Sequence, residues 1–85
     1  MNSMQCRMAR AALQLGVLDL AKLAKVSTNT IVRFERGEPL RAATKESIAT
    51  VFRSAGIEFI DEIDGKGVGV RLTNSSRPHG RDGTE

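Results

Sequence analysis

The chain has 85 residues, a net charge of +3, one cysteine and one histidine, which fits one small domain with a modest core. That size disfavours a deep catalytic pocket, and no run of about 18 apolar residues suggests a membrane span. A single cysteine closes no internal disulfide, and Cys6 with His79 is too little for a zinc site, so neither metal nor cofactor is expected.

The positive charge is uneven. Residues 1–56 carry nine Lys and Arg against four acids, residues 57–72 carry two against four, and residues 73–85 balance. A basic first two-thirds suits a surface facing a polyanion, or a merely solvated one. The first ten residues hold Arg7 and Arg10 but no apolar signal-peptide core. With the lone cysteine, this points to the cytoplasm.

Periodicity predicts a first helix over residues 4–13, capped by Ser3, with Met8, Ala12 and Leu15 facing inward. Met1, Met4 and Met8 suit core filling or a frayed terminus. A second helix is expected over 17–25, with Gly16 at its cap, Asp19 in its first turn and a stripe of Leu20, Leu23 and Ala24. A third is expected over 28–36. Ser27 caps it, Ile31 and Phe34 face inward, and Thr28, Asn29, Thr30 and Arg33 face outward. Gly37 stops it and Pro39 follows. A fourth is expected over 45–55, capped by Thr44, with Ile48, Val51, Phe52 and Ala55 at amphipathic spacing.

Beyond Gly56 the period changes. Residues 57–60 and 68–72 are short, apolar and partly β-branched, joined by a loop over 61–67 that contains Asp64-Gly65. An isolated hairpin is marginal in water and its edges need cover, so a second subunit is the expected partner. Residues 73–85 lack apolar periodicity and are expected to be disordered. The fold class is therefore mainly α: a four-helix domain over 1–56, then a short C-terminal β-hairpin over 57–72 suited to dimerisation.

Residues 20–37, LAKLAKVSTNTIVRFERG, hold two short helices separated by a tight turn at 25–27. Small Ala21 permits close approach, and Val26, Ile31 and Phe34 fix the crossing. The second helix then projects as a rod that the major groove of B-DNA can admit. This segment, with RAAL upstream, resembles the Xre-type helix-turn-helix family, which includes phage repressor and Cro proteins. The resemblance covers roughly residues 7–56, and the ending SAGIEFI…GVGVRL is similar to a subset of short members. Two positions depart from the family pattern. Lys25 stands where glycine is common in the turn, and Gly16-Val17 stands where Ser-Gln often opens the second helix.

The resemblance implies a cytoplasmic, nucleoid-associated transcription regulator of bacterial or mobile-element origin. It would bind double-stranded DNA as a homodimeric repressor at an inverted repeat, with a protein antagonist or co-regulator as a further partner. Geometry and resemblance together make Thr28, Asn29 and Arg33 candidates for base contacts, since Asn can pair with adenine and Arg with guanine. Ser27, Thr30, Arg36, Arg41 and Lys45 are candidates for phosphate contacts. Ser27 can serve as cap alone, Lys45 as ordinary solubilising charge, and Arg33 as a reader of base or phosphate. The family also pairs an Arg of the first helix with a Glu ending the recognition helix, which here are Arg10 and Glu35.

Two other classes stay open. An antitoxin or antiactivator would capture a protein through the hairpin, and an architectural protein would bind DNA with little sequence preference. An enzyme is not expected. Cys6 and His79 form no nucleophile arrangement, and the glycines of 65–69 lack phosphate-loop spacing.

Overall fold

The computed structural model describes residues 1–74. Helices α1 (Ser3–Leu13), α2 (Val17–Ala24), α3 (Thr28–Glu35) and α4 (Ala42–Ser54) precede an antiparallel hairpin of β1 (Ile57–Ile60) and β2 (Gly69–Leu72). The fold is thus mainly α with a C-terminal hairpin. Of the polar segment 73–85, residues 75–85 lie outside the described residues. Among the described residues no helix is long and apolar enough to cross a membrane.

The cap of α1 is Asn2, not Ser3. Its Oδ1 accepts from the Gln5 N–H at 2.8 Å, while Gln5 Oε1 accepts from the Asn2 N–H at 3.0 Å, a reciprocal capping box. This fixes which face turns inward. Gln5, Cys6, Ala9 and Leu13 are buried and Leu15 borders the core as expected, whereas Met8 is half-buried and Ala12 is exposed. Small Cys6 and Ala9 let α1 lie close to its neighbours, which the longer Met8 would prevent.

The same logic corrects α2. Leu20, Ala21 and Ala24 are buried, and Leu23 is 57% exposed. Leu20 fills the core and the small Ala21 and Ala24 complete the contact face beside it. Asp19 Oδ2 accepts from the Gly16 N–H at 3.1 Å, closing the N-terminus. At the other end Lys25 is left-handed, with φ +60°, and the Val26 N–H donates to the Ala21 carbonyl at 3.0 Å. A non-glycine residue carries about 1–2 kcal/mol of strain in that conformation. α2 therefore ends at Ala24, one residue earlier than expected.

α4 starts at Ala42, three residues before the expected start, so Thr44 lies inside it and Arg41 holds the cap position without a side-chain bond. Ile48 and Phe52 are fully buried and Ala49 nearly so, while Val51 and Ala55 border the core. The Phe59 ring of β1 meets Phe52 edge-on, with centroids 6.2 Å apart at 75°, so α4 carries the hairpin on its inner face.

In the hairpin Ile57 pairs with Leu72, Phe59 with Val70 and Ile60 with Gly69; Val68 precedes the strand. Asp64 (φ +54°) and Gly65 (φ +77°) form the turn. Ile63 and Lys66 bond reciprocally across it at 3.1 and 2.9 Å, as a two-residue turn with both central φ positive requires. Gln5 ties this hairpin to α1. Its Nε2 donates to the carbonyls of Ile60 and Gly69, a cross-strand pair, at 3.0 Å each.

Gln5→Leu keeps the volume and strands both carbonyls. It is expected to cost about 1–3 kcal/mol, a fall of roughly 4–8 °C in Tm per kcal/mol. Hydrogen exchange should quicken first at Ile57–Ile60. An unchanged melt with unchanged hairpin protection would show that the tether is dispensable.

Candidate nucleic-acid interface

α3 begins at a built cap. Ser27 Oγ accepts from the Thr30 N–H at 3.1 Å and lies 2.9 Å from Thr30 Oγ1, so both hydroxyls are engaged with each other. Ile31, Phe34 and Glu35 form the buried side of the helix. Thr28, Asn29, Val32, Arg33 and Arg36 are all exposed and recur on the opposite side at helical spacing. No acid lies between Ser27 and Phe34.

The candidate residues divide into three places. Ser27, Thr30, Arg33 and Arg41 line one open groove of about 570 Å³ with Lys25 and Leu40. Thr28, Asn29 and Arg36 stand on the exposed flank outside it. Lys45 is apart from both. It is half-buried, and its ammonium lies 6.0 Å from the centroid of the Phe34 ring, within range of a cation–π attraction. Sequence reasoning missed Lys25 and Val32. The first was legible as a cation adjoining the Ser27 cap, the second as the position four after Thr28.

α3 is held from behind by α1. Arg10 grips the Glu35 carboxylate with two parallel bonds, Nε to Oε2 at 2.8 Å and Nη2 to Oε1 at 2.7 Å. Cys6 Sγ donates to Oε2 at 3.1 Å. Arg7 Nη1 donates to the Glu35 main-chain carbonyl, satisfying a terminal acceptor of α3. Arg10 also reaches the Leu15 carbonyl at 3.2 Å. The Glu35 side chain is only 9% exposed. Its charge is therefore spent inward and contributes no surface acid to α3.

Burial opposes ionisation of Glu35, but the hydrogen bonds from Arg10 and Cys6 and the charges of Arg10 and Arg7 prevail, holding its pKa below the ordinary glutamate value. For Cys6, burial, the bond to Glu35 and the Glu35 charge all push the thiol well above its ordinary range.

At the C-terminal end of α3, Gly37 has φ +101°. The Gly37 N–H donates to the Phe34 carbonyl at 2.9 Å and the Glu38 N–H to the Arg33 carbonyl at 3.1 Å. This is a complete Schellman stop. Chemically, the exposed flank offers amide, hydroxyl and guanidinium groups with a rim of cations, and no nucleophile or paired carboxylates. No family model matches this chain, and no curated protein matches it.

Arg10→Ala leaves the Glu35 carboxylate buried without its main partner and is expected to cost about 3 kcal/mol. Replacing both, as Arg10→Met with Glu35→Met, should recover most of that loss. Denaturant melts of the three proteins check this. Equal losses in the single and double variants would contradict it.

The pair also sets a pH dependence. Because the folded pKa of Glu35 is depressed, its contribution is complete above the ordinary glutamate value of about 4.3 and is lost as pH falls from there through the folded value. Melts from pH 7 downward should show wild type losing more stability below about pH 4.3 than Glu35→Gln does. Parallel curves would refute the assignment.

Proposed function

We propose that the chain is a sequence-specific DNA-binding transcription regulator, acting in the cytoplasm as a dimeric repressor of an inverted repeat. The observation that carries this reading is the exposed flank of α3, which has no outward acid of its own, presented as a convex rod between cationic margins. An α-helix of this kind fits the major groove, with residues near its N-terminus reaching base edges.

Asn29 supplies the donor and acceptor that adenine N7 and N6 require, and Arg33 the fork that matches guanine O6 and N7. Thr28 offers a hydroxyl and a methyl. Val32, 40% exposed on the same flank, adds an apolar contact for a thymine methyl. Arg36 and Arg41 suit phosphates on either side, joined by Lys25, and give affinity that falls with salt. Ser27 and Thr30 are bonded to each other, so a phosphate contact from either must share that hydroxyl pair. Lys45 reaches a phosphate only by leaving the Phe34 ring.

Each strand of the two-stranded hairpin has a neighbour on one edge alone, and such edges suit pairing with a second copy. Two recognition helices would then meet half-sites about 10 bp apart, or a multiple of that.

Selection from a random duplex library, followed by fluorescence anisotropy at two salt concentrations, tests this. An inverted repeat should be enriched. Asn29→Ala and Arg33→Ala should each weaken binding by about 1–3 kcal/mol, roughly 5- to 150-fold, and relax preference at one base. Arg36→Ala should weaken all duplexes alike and flatten the salt slope by about one. Uniform binding with no enriched sequence would overturn the regulator reading and favour an architectural role. No DNA binding at all would point to protein capture through the hairpin.

A further inference from the structure

We propose that Glu38 is a specificity-determining residue that aims Arg33 at guanine, an inference that rests on the base-reading role given to Arg33 above.

Glu38 is joined to Arg33 twice. Its main-chain N–H donates to the Arg33 carbonyl at 3.1 Å as the last bond of the Schellman stop. Its carboxylate Oε1 accepts from Arg33 Nε at 2.8 Å. The main-chain bond fixes where Glu38 stands, because Gly37 turns the chain back on itself. The side-chain bond then fixes where the guanidinium stands.

The atom used matters. A guanidinium carries five N–H donors in a rigid plane. Engaging Nε leaves the end-on pair, Nη1 and Nη2, without an acceptor among the described residues. That end-on pair can present two parallel donors to guanine O6 and N7. A free arginine loses much rotamer freedom on reaching a base, and one already braced loses less. The brace is not there for stability. With side chains 57% and 44% exposed, such a pair adds little to folding.

The carboxylate has a second effect. It is an acid bonded to a residue of the exposed flank of α3, Glu35 being turned inward, and it repels nearby phosphates. A phosphate competing for Arg33 must approach that negative charge, whereas the guanine edge is neutral. Repulsion of the wrong partner is how specificity is gained at a cost in affinity. Glu38 therefore lowers binding to every duplex while raising the preference for the correct one.

Those opposite signs make the test. Wild type, Glu38→Gln, Arg33→Ala and the double variant of the full chain are titrated by anisotropy against three duplexes. These are the selected operator, the operator with adenine replacing the guanine opposite Arg33, and a random duplex. Glu38→Gln is expected to tighten binding to the random duplex by about two- to fivefold and to reduce the guanine preference by about fivefold or more. In the Arg33→Ala background it should still tighten random binding but leave base preference unchanged. Glu38→Lys, which reverses the charge, should enlarge both effects and guards against a fault peculiar to the amide.

If Arg33→Ala removes the guanine preference but neither Glu38 variant alters it, the brace is overturned and the DNA-reading role stands. If the Glu38 variants weaken all three duplexes equally, Glu38 is a structural residue only and the inference fails. If Arg33→Ala leaves base preference intact, or no operator is enriched, both the brace and the base-reading role fall together.

Discussion

A buried carboxylate organises this small domain. Glu35 sits at the last turn of α3 and receives Arg10 through two bonds and Cys6 through a third, while Arg7 holds its main-chain carbonyl. Three residues within little more than one turn of α1 thus grip one residue of α3. A core made of Cys6, Ala9, Leu13, Leu20, Ala21, Ala24, Ile31 and a few larger residues is non-directional, and packing of that kind tolerates small rotations. Directional bonds to a charged group do not. The ion pair therefore fixes the angle at which α3 sits against α1, as the proposed seating of α3 in a groove would need.

The hairpin depends on the same helix. Gln5 lies one residue before Cys6, and its amide holds Ile60 and Gly69 together. α1 is thereby the common support for α3 on one side and the hairpin on another. In the proposed dimer this matters for spacing, since the distance between two recognition helices is set by how rigidly each hairpin is joined to its own domain.

Much of this was legible from residue order. Ser27 before a polar-apolar alternation, Gly37 after Glu35 and Ile48/Phe52 on α4 each act locally, and local chemistry is written in sequence. The Asp64-Gly65 turn is the same, because few other dipeptides take two positive φ values. The faces of α1 and α2 were harder. Alanines, methionines and leucines occur around much of both helices, so periodicity alone favoured Met8, Ala12 and Leu23. Ala21 and Ala24 were legible, but the tight spacing of the helices decided for Cys6 and Ala9 and against Leu23, and spacing is a property of the partners. Asn2-x-x-Gln5 was available as a capping signal, but nothing in the sequence tells that the same glutamine reaches residues 60 and 69. At the candidate interface the outward flank was evident from Ile31 and Phe34. The bracing of Arg33 by Glu38 and the stacking of Lys45 on Phe34 were not, since both depend on how the Gly37–Leu40 loop folds back.

The single cysteine has a further consequence. Cys6 is fully buried and hydrogen-bonded to Glu35, and its raised pKa keeps the sulfur in its unreactive thiol form. A maleimide or iodoacetamide can reach it only when the packing around α1 opens. The chain thus carries its own untagged reporter of conformational opening. Pulse alkylation in a cell lysate, read by intact mass, would report how often the packing around α1 opens, and would show whether a bound partner keeps it closed.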